Sequence, residues 1–146
     1  MQKEPSLVKQ IEFVVTVRRI KLLGIAITVG LIVIFLSGLF VAGSNYRENF
    51  EIVNLISLLL LVVIFFLTFF LRKHMLKKVN TGNISVAYFN AHVIPFAVMD
   101  FGALFCITTN LFVNGNILYA SLGLLISVAG MIINFPNEEY FDKISG

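Results

Sequence analysis

Four side chains in this sequence have the chemistry to do something other than pack: Asp100, Thr28, Thr68 and His92. Asp100 stands alone in "FAVMDFGALF" (Phe96–Phe105), a stretch otherwise suited to hydrocarbon. A lone carboxylate can bind and release a proton or a cation. It can also join helices by accepting hydrogen bonds, and the spacing leaves both uses open. An exposed charge at the centre of a bilayer is unfavourable by about 2.5 to 3.5 kcal/mol, so the side chain is expected to face the bundle, a second chain or water. Thr28 and Thr68 fall at a similar depth in their own segments and can donate to a carboxylate. His92, eight residues before Asp100, could pass protons to it, although a lone histidine near a membrane surface is more often simply solvated.

Other chemistries lack their residues. There is no His or Cys cluster at metal-ligand spacing, no Gly-rich phosphate loop, no nucleophile with a base in pattern and no pair of intramembrane histidines for haem. Neither an enzyme nor a cofactor is expected. Cys106, the single cysteine, reads as a packed thiol.

The elements that must position these residues follow from composition. The chain of 146 residues is 58% hydrophobic and only 13% charged, against about a quarter charged in soluble domains, and its mean hydropathy is +0.93. Four apolar runs, near 22–41, 52–71, 92–113 and 117–135, approach the about 20 helical residues needed to cross a hydrocarbon core. A bilayer offers the backbone no water, and the alternation of a membrane β-barrel is absent, so the runs are helical. The expected fold is all-α, an integral membrane four-helix bundle of two antiparallel hairpins, with the whole of 1–146 as one transmembrane domain.

The net charge of +3 belongs to helix ends rather than to a nucleic-acid-binding face. Lys3, Lys9, Arg18, Arg19 and Lys21 precede the first run, and Arg72, Lys73, Lys77 and Lys78 follow the second. The turns after the first and third runs hold only Arg47 between them. The positive-inside bias then puts both termini and the middle loop in the cytoplasm of a multi-pass protein of the bacterial inner membrane. Arg18, Arg19, Lys21, Arg72, Lys73, Lys77 and Lys78 are expected to touch the headgroups of anionic lipids. The first run is about twice the length of a signal-peptide core, which favours a retained helix.

Segment 6–21 places Leu7, Ile11 and Val14 at helical spacing, either as an amphipathic helix in the membrane plane or as the end of one long first helix. "NGN" at Asn114–Asn116 predicts a tight turn between helices three and four. Pro136 is expected to end helix four, with 137–146 forming a short surface segment in which Tyr140, Phe141 and Ile144 are available to an interface. Gly24, Gly30, Gly102, Gly123 and Gly130 predict close helix approach. Helix two, rich in Leu, Ile, Val and Phe, is the expected lipid-facing or partner-facing helix. A shift of 72 residues lays "LFVAG" (Leu39–Gly43) on "LFVNG" (Leu111–Gly115) and Thr28 on Asp100, which suggests two similarly oriented halves.

"AVMDFGALFCITTNLF", a lone acid followed by small, aromatic and aliphatic residues, resembles the carboxylate helix of ATP synthase rotor-ring proteolipids. The whole chain is similar to small bacterial proteins with four membrane helices and a Pro-containing end to helix four. The rotor-ring resemblance implies that Asp100 carries a transported ion. The leading expectation is a non-catalytic small subunit or accessory factor of a larger membrane complex, partnered by other integral membrane proteins or by copies of itself. The alternative is an oligomer that translocates protons or cations with Asp100 as carrier.

Overall fold

The structure, a computed structural model, describes residues 4–42, 51–80 and 82–141. Lys3, Arg47 and Ile144 lie outside the described residues. The elements are α1 (Glu4–Ala42), α2 (Glu51–Leu76), α3 (Ile84–Thr108), continued by a π-helical turn at Thr109–Val113, and α4 (Ile117–Ile133). The fold is an all-α four-helix bundle. Three helices are long and apolar enough to cross a membrane: α1, α2, and α3 with its π turn. α4, at 17 residues, is about 25 Å long, shorter than the fourth span expected.

Segment 6–21 is the first half of a single rod. α1 runs unbroken for 39 residues, about 58 Å at the usual helical rise, and therefore extends well past a hydrocarbon core. Its early turns bury Phe13, Val17 and Ile20 completely. α3 starts at Ile84, eight residues before the expected boundary, because Ile84, Tyr88 and Ala91 form a buried stripe that pairs with this extension. Phe13 meets the Tyr88 ring edge-on at 4.8 Å and Phe141 at 5.6 Å.

α3 is the hub. It packs against all three other helices, while α1 and α2 each pack against α3 and α4 and scarcely touch one another. The first two helices, joined in the sequence reading as a hairpin, therefore lie on opposite flanks of the α3–α4 pair. Contacts fix the directions. Gly24 lies against Phe96 and Gly38 against Leu111, so α1 and α3 run parallel; Gly102 lies against Ile64 while Asn110 meets Ser57, and Gly123 lies against Cys106 while Gly130 meets Met99, so α2 and α4 run opposite to α3.

In lipid, burial of apolar surface does not separate helix contact from lipid contact, so tight packing and interhelical hydrogen bonds must hold the bundle. A Cβ on Gly102 would lie 2.7 Å from Ile64, and one on Gly123 would lie 2.7 Å from Cys106 Sγ. Only hydrogen fits there. Gly30 departs from the expectation: nothing lies within 4 Å of its missing Cβ, because it faces away from the stripe of α1 that contains Gly24, Leu31 and Gly38.

α2 buries a single stripe, Asn54, Ser57, Leu61, Ile64 and Thr68, spaced by alternating threes and fours as a seam requires. Its other faces leave Ile56, Leu59, Val63, Phe66 and Phe70 exposed. Pro95 does not break α3, which continues through it. The turn at 114–116 forms as expected. Gly115 adopts the left-handed region (φ 62), its N–H donates to Leu111 O (3.2 Å), and the N–H of Asn116 donates to Asn110 O (2.6 Å). The Asn116 side chain then accepts from the Tyr119 N–H and caps α4.

Candidate functional site: two polar layers and a lone acid

Asp100 lies on the flank of α3 that faces α1. Phe96, one turn before it, and Leu111, three turns after it, both contact α1. The side chain is half-buried, next to the exposed Ala97 and Phe101. Because α1 and α3 are parallel and in contact at Gly24 and Phe96, Thr28 and Asp100, each four residues on, share a height. Thr68 and Ser127 are near that height on α2 and α4, as the Ile64–Gly102 and Gly130–Met99 contacts require.

These residues share a level but not a network. Each hydroxyl donates to a carbonyl of its own helix: Thr28 to Gly24 O (2.8 Å), Thr68 to Phe65 O (2.8 Å) and Ser127 to Gly123 O (2.6 Å). Among the described residues Asp100 has no hydrogen bond or ion pair. His92 is buried rather than solvated, donating from Nδ1 to Tyr88 O at 2.9 Å with its ring 4.3 Å from that of Tyr88. It is about 12 Å along the helix from Asp100, so the two are not in contact.

The hydrogen bonds that join helices lie elsewhere, in two layers at opposite ends. At one end, Asn110 Nδ2 donates to Ser57 Oγ (2.9 Å) and to Cys106 O (2.7 Å), and Ser57 Oγ donates to Asn54 O (2.8 Å). Asn114 Nδ2 donates to Asn54 Oδ1. All four residues are at most 1% exposed. The π turn, a geometry that recurs at functional sites, carries Asn110 and leads into Asn114. Three buried atoms in this layer have no hydrogen-bond partner among the described residues: the acceptors Asn110 Oδ1 and Asn114 Oδ1 and the donor Asn54 Nδ2. The layer holds no charge and no carboxylate. Its chemistry suits neutral hydrogen bonding between helices and offers little to a divalent cation.

The other end is built from long side chains that reach between elements. The Tyr88 hydroxyl donates to Asn137 O and accepts from the Asn137 N–H, both at 2.9 Å. Tyr140 donates to Leu76 O (2.9 Å), and Arg72 donates to Ile133 O, so each satisfies a carbonyl at a helix C-terminus that no intrahelical N–H can reach. Lys21 Nζ lies 2.7 Å from Glu138 Oε1. That bond and the lysine's charge hold the Glu138 carboxyl below the usual glutamate range, while burial pushes the Tyr140 phenol up. Arg18, Arg19, Lys73, Lys77 and Lys78 are exposed at this same end.

Sequence reasoning missed Asn54, Ser57 and Asn110. Their signal was present: Asn54 and Ser57 open the alternating stripe of α2, and Cys106, Asn110 and Asn114 recur every fourth residue. No protein-family model matches the chain, and no curated protein or solved structure matches it either.

Proposed function

We propose that this protein is a non-catalytic subunit or accessory factor of a larger assembly in the bacterial cytoplasmic membrane, and that Asp100 is the point at which another membrane protein, or a second copy of this chain, hydrogen-bonds to it. The observation that carries this reading is the contrast at Asp100. Every interhelical polar bond within the bundle is made by other residues, and the one acid of the spanning region has no partner among the described residues although it lies on a flank. A carboxyl in hydrocarbon gains most from a donor supplied from outside. The exposed faces of α2 add apolar area for such a neighbour. The collection of basic side chains at one end supports a cytoplasmic placement of both termini and contact with anionic headgroups.

The test is native purification in mild detergent. The wild-type chain is expected to migrate in a larger complex, and Asp100→Leu is expected to release it as a monomer with unchanged melting. A wild-type chain that is fully monomeric and functional would sink the proposal. The half-exposed position of Asp100 would also let a neighbouring subunit deliver an ion to it, which keeps the carrier role as a second reading. In that case a carbodiimide labels Asp100, and Asp100→Asn abolishes flux in liposomes with the assembly intact.

A further inference from the structure

α1 and α3 leave a groove between them at the basic end, with a volume of ≈ 300 Å³, lined by Thr16 and Arg19 from α1 and by Ser85, Val86 and Phe89 from α3. We propose that this groove binds the phosphate of an anionic phospholipid. The inference rests on the reading above, in which the basic end lies at headgroup level.

Position supports the assignment first. Arg19 lies one turn before the apolar run that begins near Leu22, so its guanidinium is at the height where headgroups meet hydrocarbon. Charge supports it second. Lys21, two residues away, is engaged by Glu138, whereas Arg19 has no ion pair and Ser85 no hydrogen bond among the described residues. A guanidinium binds phosphate oxygens in pairs, and the Ser85 hydroxyl supplies a further donor across the groove. The Thr16 hydroxyl is already donated to Glu12 O at 2.8 Å, so its oxygen contributes only polarity. Shape supports it third, because Val86 and Phe89 give one wall an apolar surface on which glycerol and the first acyl carbons can rest. Glu12, seven residues and about two turns further from the bilayer than Arg19, lines the adjoining groove together with Lys9. A soluble anion would have no use for the apolar wall.

The experiment is native mass spectrometry of the full chain released from nanodiscs containing equal amounts of phosphatidylglycerol and phosphatidylcholine. The wild type is expected to retain phosphatidylglycerol over phosphatidylcholine by at least about five-fold, the scale set by one basic side chain near a charged membrane surface. Arg19→Gln with Ser85→Ala is expected to abolish that preference and Arg19→Lys to restore part of it. Arg18→Gln, which removes the same charge one position away, should reduce it by less than half. Equal retention of the two lipids, an unaltered ratio in the double variant, or equally strong binding of soluble glycerol phosphate would overturn the proposal. Liposome flotation separates this failure from that of its foundation. A chain that floats but shows no preference loses the groove alone, and a chain that does not float loses the membrane reading as well.

Discussion

The two ends of the bundle solve one problem in different ways. At the amide end, Asn54, Ser57, Asn110 and Asn114 are short, neutral and at most 1% exposed, and they join α2 directly to α3. At the basic end, Tyr88, Tyr140, Arg72 and Lys21 are long and several reach solvent; Tyr88, Tyr140 and Lys21 tie the segment after α4 to α3, α2 and α1, and Arg72 ties α2 to the last turn of α4. The difference follows from water. Charged groups next to an aqueous phase lose little solvation when they pair, so Lys21 and Glu138 can meet there at modest gain. In a dry layer the same pair would lose several kcal/mol of solvation per ion, and amides and hydroxyls are the polar groups that can join helices without that loss.

If the basic end is a clamp, its largest component is Tyr88, which touches Phe13, His92 and Tyr140 and holds Asn137 twice. Tyr88→Ala is expected to cost about 3 to 5 kcal/mol, the usual loss for truncating a buried aromatic, and to expose the tail to protease. Thermal unfolding in detergent reads the first effect and limited proteolysis the second. An unchanged cleavage rate would show that the tail is held by something else.

The amide end should be less sensitive. Asn110→Ala removes one donor each from the Ser57 hydroxyl and the Cys106 carbonyl, which keep their bonds to Asn54 O and from the Thr109 N–H, and is expected to cost about 0.5 to 1.5 kcal/mol. Asn110→Leu, which refills the volume, should cost less. A double-mutant cycle between Asn110 and Ser57 is expected to give a coupling near 0.6 kcal/mol. A coupling indistinguishable from zero would mean that the layer is packing with incidental polarity, and the contrast between the ends would weaken.

The smallest effect is electrostatic and sharpens the comparison through pH. The Glu138 carboxyl is held below the ordinary glutamate value by Lys21, so the folded state binds that proton less readily than the unfolded state. The contribution is therefore complete above the ordinary value near 4.3 and is lost as pH falls through the lowered folded value. A carbon-13 titration of Glu138 in micelles should show the low midpoint, and Lys21→Met should return it to the ordinary range. The amide layer, having no carboxylate or other group that titrates in the acid range, should not respond.

Much of the architecture was legible before any coordinates. Four helices, the turn at Asn114–Asn116 and the collection of basic residues all follow from hydropathy and local chemistry. The early start of α3 was not, because Ser85, Tyr88 and Asn90 dilute the apolar signal and only the contacts of Tyr88 with α1 and the segment after α4 show that this stretch is a packed helix. Nor were the partners of the polar residues. Thr28, Thr68 and Asp100 lie at similar heights, but height along a helix says nothing about rotation. Each threonine has a carbonyl of its own helix within reach, and that local bond is available in every tertiary arrangement.

The amino-acid sequence by itself determined which segments are helices, where the turn between α3 and α4 falls and which end carries the charge, because each of those depends on the transfer of local side chains and backbone between water and lipid. Tertiary structure alone decided that α1 and α2 stand apart on either side of α3 and α4, that asparagines spaced along α2 and α3 meet as one layer, and that Asp100 meets no described partner. Those outcomes depend on the relative rotation of helices, which is set by where glycines admit a neighbour's side chain, and no single helix contains that information.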